Sequence, residues 1–181
     1  MRISEFLLTC LMATLLAYAP QSPAWGPLGH DAVGATALPM LTRTARGEVD
    51  RILAHKPADS PSEALDLACN WPDEVRETRK WEWTAPLHYV NIPRSSRHYE
   101  RQRDCRDGQC VTEAIIRYAN ELNRGDLGDE ERWQAFAFLC HFTGDLHQPM
   151  HAAFKDDRGG NRVKVSFRGK SMNLHQFWDS T

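Results

Sequence analysis

Apolar residues recur along this chain at two different spacings, and each spacing marks a different kind of element. From Val111 to Leu122 the spacing is helical, with Ile115, Ile116, Ala119 and Leu122 placed on one side. Asp129 to Leu146 reads as a longer helix that becomes more apolar toward its end. Phe136, Phe138, Leu139 and Phe142 leave it little polar face, which puts it at the centre of the fold. Leu65, Leu67, Ala68, Trp71 and Val75 predict a third helix over Ser60 to Glu77, opened by a capping Ser60 and by Pro61, a residue the first turn tolerates. His30 to Ala54 is helical with a break or kink at Pro39. Pro86 to Pro93 is a short extended stretch or a turn into one. Gly159-Gly160 signals a turn, and strict alternation follows: Val163, Val165 and Phe167 against Arg162, Lys164 and Ser166, a strand pattern. Gly169 would turn that strand toward a partner lying upstream or outside the chain. Asn173 to Asp179 begins a last helix, which is still in progress when the chain stops at Thr181, so the chain reads as a fragment. The pattern as a whole is mainly α: one helical domain with a small β element, truncated at its C-terminus.

Composition changes this picture at the N-terminus. Arg2 precedes an apolar run from Phe6 to Ala19, and Ser22-Pro-Ala24 offers the small residues of a signal-peptidase site. A membrane anchor needs roughly 20 apolar residues, and this run is shorter. Residues 1–24 are therefore expected to be a secretory signal and 25–181 the working domain. Cleavage after Ala24 would make Trp25 the first residue, with a free amine beside its own carbonyl. Export, to the cell exterior or a periplasm, permits disulfides. Of five cysteines, Cys10 leaves with the signal. Cys105 and Cys110 close a small loop, while Cys69 and Cys140 are either a second pair or two buried thiols.

A net charge of −2 gives no global field to recruit polyanions. Arg94, Arg97, Arg101, Arg103 and Arg106 cluster locally, either as a solvated loop or as a surface that steers a phosphate backbone.

The chemistry is concentrated in His141-Phe-Thr-Gly-Asp145-Leu-His147-Gln-Pro-Met-His151. His141 and Asp145 stand four apart and share a helix face, and the spacing repeats at His175 and Asp179. Imidazoles and carboxylates converging from one face suit zinc. His30, Asp73 and His88 extend the candidate set. His147 falls on a different helix face from Asp145 and is assigned to supporting the ligands; His55 and His98 are ordinary surface histidines.

Six segments carry a family resemblance, in order along the chain: Trp25-Gly-Pro-Leu-Gly-His30, Asn70-Trp-Pro-Asp73-Glu-Val-Arg76, Leu87-His88-Tyr89-Val90, His141 to His151, Asp157-Arg-Gly-Gly-Asn161, and Asn173-Leu-His175-Gln-Phe-Trp-Asp179. Together they resemble the secreted zinc-dependent single-strand-specific nucleases and 3'-nucleotidases of the nuclease S-one/P-one family, which are related in fold to zinc phospholipase C. The resemblance implies three zinc ions. Asp73, His88, His141 and Asp145 would hold one; the Trp25 amine and carbonyl, His30 and a bridging Asp145 a second; His151, His175 and Asp179 a third. It also implies a monomeric phosphodiesterase that cleaves single-stranded DNA or RNA to 5'-mononucleotides and hydrolyses 3'-nucleotides, using a hydroxide held between metals. Asp73, Arg76 and Asp145 are the implied catalytic residues. Arg76 would grip phosphate, Tyr89 would stack a base, and Asn91 and Asn161 would also contact substrate. Asn91 departs from the family's aspartate; an amide both donates and accepts, so base preference should differ or relax. The family's C-terminal helices are not in this chain. The competing readings are a zinc phospholipase C, disfavoured by Tyr89, and a non-catalytic secreted zinc-binding protein, which has no use for Arg76.

Overall fold

The element that organises the molecule is the longest and most apolar helix. In a computed structural model that describes residues 25–180, Asp129–His147 (α6) runs through the centre, and Trp133, Ala135, Ala137, Phe138, His141, Phe142, Gly144 and Asp145 are all buried. A helix apolar on every side must be covered on every side. Val111–Leu122 (α5) covers one flank, with Leu87, Val90, Val111, Ala114 and Tyr118 meeting Phe138 and Phe142. Arg43–Leu53 (α2) and Pro61–Val75 (α3) cover the other, where Ile52, Leu53, Leu65 and Ala68 meet Trp133 and Ala137. Pro27–Ala37 (α1) crosses α3 and α6 near their site-bearing ends, and a 3₁₀ turn at Leu38–Met40 joins it to α2.

Local chemistry sets the boundaries. Thr42 and Ser60 cap α2 and α3 through their hydroxyl oxygens, accepting from Ala45 N and Glu63 N at 3.2 Å each. Pro39 divides the helical region predicted over 30–54. Past α3, a 3₁₀ segment at Glu82–His88 leads into Val90–Ile92 (β1), and a four-residue helix at Arg101–Asp104 (α4) precedes α5. β1 pairs in parallel with Ala152–Phe154 (β2), Val90 opposite Ala152. The alternating strand predicted from 162 is Lys164–Phe167 (β3). Its partner is neither upstream nor outside the chain: Lys170–Asn173 (β4) follows at once in a hairpin turned by Arg168-Gly169, both at positive φ. Leu174–Ser180 (α7) is the last helix.

One further expectation needs correction. Ile116 is 55% exposed; the buried stripe of α5 is Val111, Ala114 and Tyr118. The arginine run is largely neutralised at home. Arg94 pairs with Asp156 and Asp157, Arg101 with Glu113, and Arg103 with Glu100 and Asp104. Two disulfides are formed, Cys105–Cys110 within the α4–α5 loop and Cys69–Cys140 between α3 and α6. No described helix is long and apolar enough to cross a membrane. The expected secretory signal, 1–24, lies outside the described residues.

Candidate metal centre

Each candidate ligand is delivered by a neighbour buried in the core. Trp71 is wedged edge-on against Trp81, Trp133 and Phe138, 5.2 to 5.4 Å between ring centres. This fixes the end of α3, from which Asp73 faces inward. Leu87 is fully buried, His88 next to it turns into the site, and Tyr89 after that is 43% exposed. From α6 come His141 and Asp145, one turn apart and both fully buried. His30 enters from α1, its ring stacked on that of His141 at 3.9 Å. It can approach because position 144 is glycine: a Cβ there would lie 2.6 Å from His30 Nδ1.

Asp145 is the hub. Its Oδ2 lies 2.9 Å from His88 Nδ1 and 3.2 Å from His141 Nε2. Its Oδ1 lies 3.2 Å from His151 Nδ1 and 3.7 Å from His30 Nε2. Asp73 Oδ1 stands 3.5 Å from His141 Nε2 and 3.6 Å from His88 Nδ1. Three sets of donor atoms are close enough to surround an ion: His30, Asp73 and His141; His88, His141 and Asp145; and His151, His175 and Asp179. The third set is the one expected from sequence. The first two divide the remaining residues differently from the expectation, because His30 sits with Asp73 and His141 as well as near Asp145. Trp25, whose expected donors are main-chain atoms, belongs to none of these side-chain sets. Its indole meets Trp178 edge-on at 6.3 Å, and the next residue's N–H donates to the Asp179 carbonyl at 3.0 Å.

The donor set fits divalent zinc. Both ring nitrogens of His30, His88 Nε2, Asp73 Oδ1 and Asp145 Oδ1 are buried and accept or donate no hydrogen bond among the described residues. Orphaned buried atoms cost about 1–3 kcal/mol each, and imidazole nitrogens with carboxylate oxygens are the donors zinc takes. Three of the other imidazoles are steered by main-chain acceptors. His141 Nδ1 donates to Cys69 O at 2.8 Å, His151 Nδ1 to His88 O at 2.7 Å, and His175 Nδ1 to Gly159 O at 2.7 Å. Such bonds set the tautomer and leave the opposite nitrogen for the site.

Without metal, the cluster gathers positive charge on His141. Burial alone would lower that imidazole, but Asp145 and Asp73 outweigh it and raise it to about 10. Burial first, and then the charge on His141, push His30 down to about 3. Burial opposes ionisation of Asp145, yet His141 and His151 hold it well below the usual carboxylate range. His88, like His30, is lowered chiefly by burial, and a neutral imidazole is the form that binds a divalent cation.

The expected substrate residues ring this centre. Arg76 caps α3, and its Nη1 lies 3.2 Å from Asp73 Oδ1. Burial chiefly lowers the His175 imidazole, and the charge of His151 lowers it further, against the hydrogen bond to Gly159 O. Tyr89 makes no ring contact among the described residues. Asn91 is half-buried, its Oδ1 without a hydrogen bond. Asn161 is exposed and donates to Arg158 O at 3.0 Å. Gly159 has φ +59, and a Cβ on it would strike the Met150 carbonyl at 2.4 Å, so the loop that holds His175 requires glycine.

His147 does not support the ligands. It is exposed and, among the described residues, bonds only to the Thr143 carbonyl, at 2.7 Å. The neighbouring Gln148 takes that place: fully buried, it donates from Nε2 to Asp179 Oδ1 at 2.5 Å and accepts from Met150 N.

Comparison with known proteins gives the same direction. The family model described as S1/P1 Nuclease matches residues 25–181. Endonuclease 3 of Arabidopsis thaliana is 36% identical over 160 residues, covering 86% of this chain and 53% of the relative. Nuclease P1 of Penicillium citrinum is 33% identical over 162 residues, 86% of this chain and 57% of the relative. Nuclease S1 of Aspergillus oryzae is 32% identical over 173 residues, 94% and 58%. The chain thus spans somewhat more than half the length of these curated relatives.

Proposed function

The chain belongs to the S1/P1 nuclease family, and from that premise we propose that it is an exported, zinc-dependent phosphodiesterase acting on single-stranded DNA and RNA and on 3'-nucleotides. The observation that carries the proposal is the buried cluster around Asp145, where both His30 ring nitrogens, His88 Nε2, Asp73 Oδ1 and Asp145 Oδ1 converge without a hydrogen bond among the described residues. Asp73, His88, His141 and Asp145, with His30 and the Trp25 amine beside them, and His151, His175 and Asp179 beyond, would hold three zinc ions. Bound there, zinc would supply Lewis acidity toward phosphate oxygens and a water ionised near neutral pH.

The protein's own residues do the rest. Arg76, restrained by Asp73, presents a planar fork that matches two phosphate oxygens and offsets charge as it builds on phosphorus. Exposed Tyr89 offers a face for any base, a contact worth roughly 1–3 kcal/mol that only an unpaired base can make. Asn91 can both donate to and accept from a base edge, so a weaker base preference than an aspartate would give is part of the proposal. Asn161 stands at the rim to meet the substrate. Two disulfides and a leader-like N-terminus support export.

The test pairs two variants of one segment. Wild type should hold three zinc ions by elemental analysis and hydrolyse a single-stranded oligonucleotide but not phosphatidylcholine. Asp145→Asn keeps the shape and removes the charge that lets dications sit close together; it should lose at least one ion and nearly all activity. His147→Ala should keep its zinc and most of its activity. A dead His147→Ala beside a live Asp145→Asn would refute the proposed ligand set.

A further inference from the structure

We propose that the β3–β4 hairpin is an extended track for the phosphate backbone of a single-stranded nucleic acid, holding the strand beyond the nucleotide being cleaved. This rests on the nuclease reading above and adds to it the surface that distinguishes a polymer from a mononucleotide.

Charge carries the argument. Between residues 158 and 178 there is no acidic residue, while Arg158, Arg162, Lys164, Arg168 and Lys170 supply five cations, in a chain of net charge −2. All five are exposed. Among the described residues none has a carboxylate within ion-pairing distance; Arg162 donates to the Asp156 carbonyl and Arg168 lies over the Phe167 ring. The arginines before Cys110 behave in the opposite way, since three of them are tied to carboxylates. Cations paired at home project little field; unpaired ones attract polyanions and release counterions when they bind them.

Geometry gives the track its direction. The hairpin is rooted on the third ligand set. Asn161 precedes it, Leu174 N donates to Val163 O at 2.8 Å across its base, and His175 follows, held by Gly159 O. Strands of four residues reach about 13 Å at 3.3 Å per residue. Lys164 lies near the root, and Arg168 and Lys170 at the tip. A 3'-mononucleotide bound at the root has no second phosphate to reach the tip, whereas a longer strand does. Beside the tip, Phe167, Arg168, Lys170, Met172 and Ser180 line an open hollow of about 660 Å³. Apolar side chains flanked by cations form the usual surface for an unpaired strand.

The test uses the zinc-loaded full chain and a triple variant, Lys164→Ala/Arg168→Ala/Lys170→Ala. Binding of a phosphorothioate-linked dT20 is followed by fluorescence anisotropy from 50 to 200 mM salt. Each phosphate-contacting cation contributes roughly 0.7 to the slope of log affinity on log salt for single strands. The variant should therefore lose about 2 from that slope and bind dT20 about tenfold more weakly, while kcat and KM for a 3'-mononucleotide stay unchanged. Unaltered dT20 affinity and slope would overturn the proposal. So would an equal loss of mononucleotide hydrolysis, which would mean that the hairpin only props up the site. A hairpin-dependent affinity for phosphatidylserine vesicles without dT20 binding would make it a membrane contact and overturn it too. A wild type that binds dT20 through the hairpin but hydrolyses no phosphodiester would refute the nuclease reading alone.

Discussion

Removing the disulfide between α3 and α6 should cost the protein about twice as much stability as removing the one in the α4–α5 loop. Cys69 and Cys140 are 71 positions apart, Cys105 and Cys110 only 5. Cross-linking restricts the unfolded chain in proportion to the logarithm of loop length. The chain-entropy relation gives about 4 kcal/mol for the long loop and about 2 kcal/mol for the short one. All four positions become alanine, and Cys69, Cys105 and Cys110 are buried, so cavity costs are similar and do not reverse the order. The assay is urea unfolding at 25 °C and thermal unfolding of EDTA-treated wild type and of the two double variants, read by far-UV circular dichroism and fluorescence. For a domain of about 150 residues, 1 kcal/mol corresponds to about 2–4 °C, so the melting temperature should fall by roughly 8–16 °C in one variant and 4–8 °C in the other. Equal losses, or a larger loss from Cys105→Ala/Cys110→Ala, would refute the reasoning. A second readout separates stability from site geometry. The Cys69–Cys140 bond ties to α6 the part of α3 whose Cys69 carbonyl steers His141, so Cys69→Ala/Cys140→Ala should loosen that helix and retain zinc less well against a chelator, and Cys105→Ala/Cys110→Ala should not.

Three more outcomes follow from the same geometry. Gln148→Leu removes a buried donor to Asp179 and should cost about 1–3 kcal/mol and lower zinc content by one ion; a full complement of zinc at unchanged stability would show that the bond is idle. Arg76→Ala should reduce kcat by at least 100-fold and leave zinc content intact, because the proposed role of the guanidinium is to grip phosphate and it is no donor to metal; zinc lost in step with activity would make it structural. His30 sets a pH dependence in the EDTA-treated protein. Its folded value of about 3 lies below the usual 6.5, so between those values the unfolded chain binds a proton that the folded chain refuses, and stability falls as pH falls. His30→Gln should therefore lose less melting temperature than wild type between pH 6.5 and pH 4, and parallel curves would contradict the assignment.

Sequence reading succeeds here where information is local. The bounds of α5 and the centrality of α6 follow from periodicity, and the pairs His141/Asp145 and His175/Asp179 follow from a spacing of four, whereas Trp25, His30, Asp73 and His88 take their expected roles from the family resemblance. It failed where the deciding partner is distant. Ile116 and Tyr118 both belong to α5, yet Tyr118 is the buried one because Phe138, on another helix, stacks on its ring at 4.7 Å. β2 is three residues, Ala152–Phe154, with no alternation to read; it exists because Val90–Ile92 lies alongside. His147 differs from its expected place because a helix-face argument does not hold at the end of a helix. α6 stops there, and Gln148 turns extended at ψ 120, which sends its amide inward and leaves the imidazole outside. Nothing in a lone glutamine before a proline announces this, apart from its position between candidate ligands.

The parallel pairing of β1 with β2 has a consequence for how this protein can vary. His88 lies two residues before β1 and His151 one residue before β2, and the two are yoked: Val90 N donates to His151 O and His151 Nδ1 to His88 O, each at 2.7 Å. An insertion of one residue at 89 or between 151 and 152 would break that yoke, and a one-residue slip of either strand would turn its side chains to the opposite face. The loop over 123–128 is tied to α6 through Arg132, which donates to Leu122 O at 3.1 Å and Arg124 O at 3.0 Å, but it is linked to no candidate ligand among the described residues. It is largely exposed, and Gly125 has open space around it. Lengthening it costs only the slow logarithm of loop closure. Inserted tags or whole domains therefore belong at Gly125, while length at residues 88–90 and 151–152 is fixed.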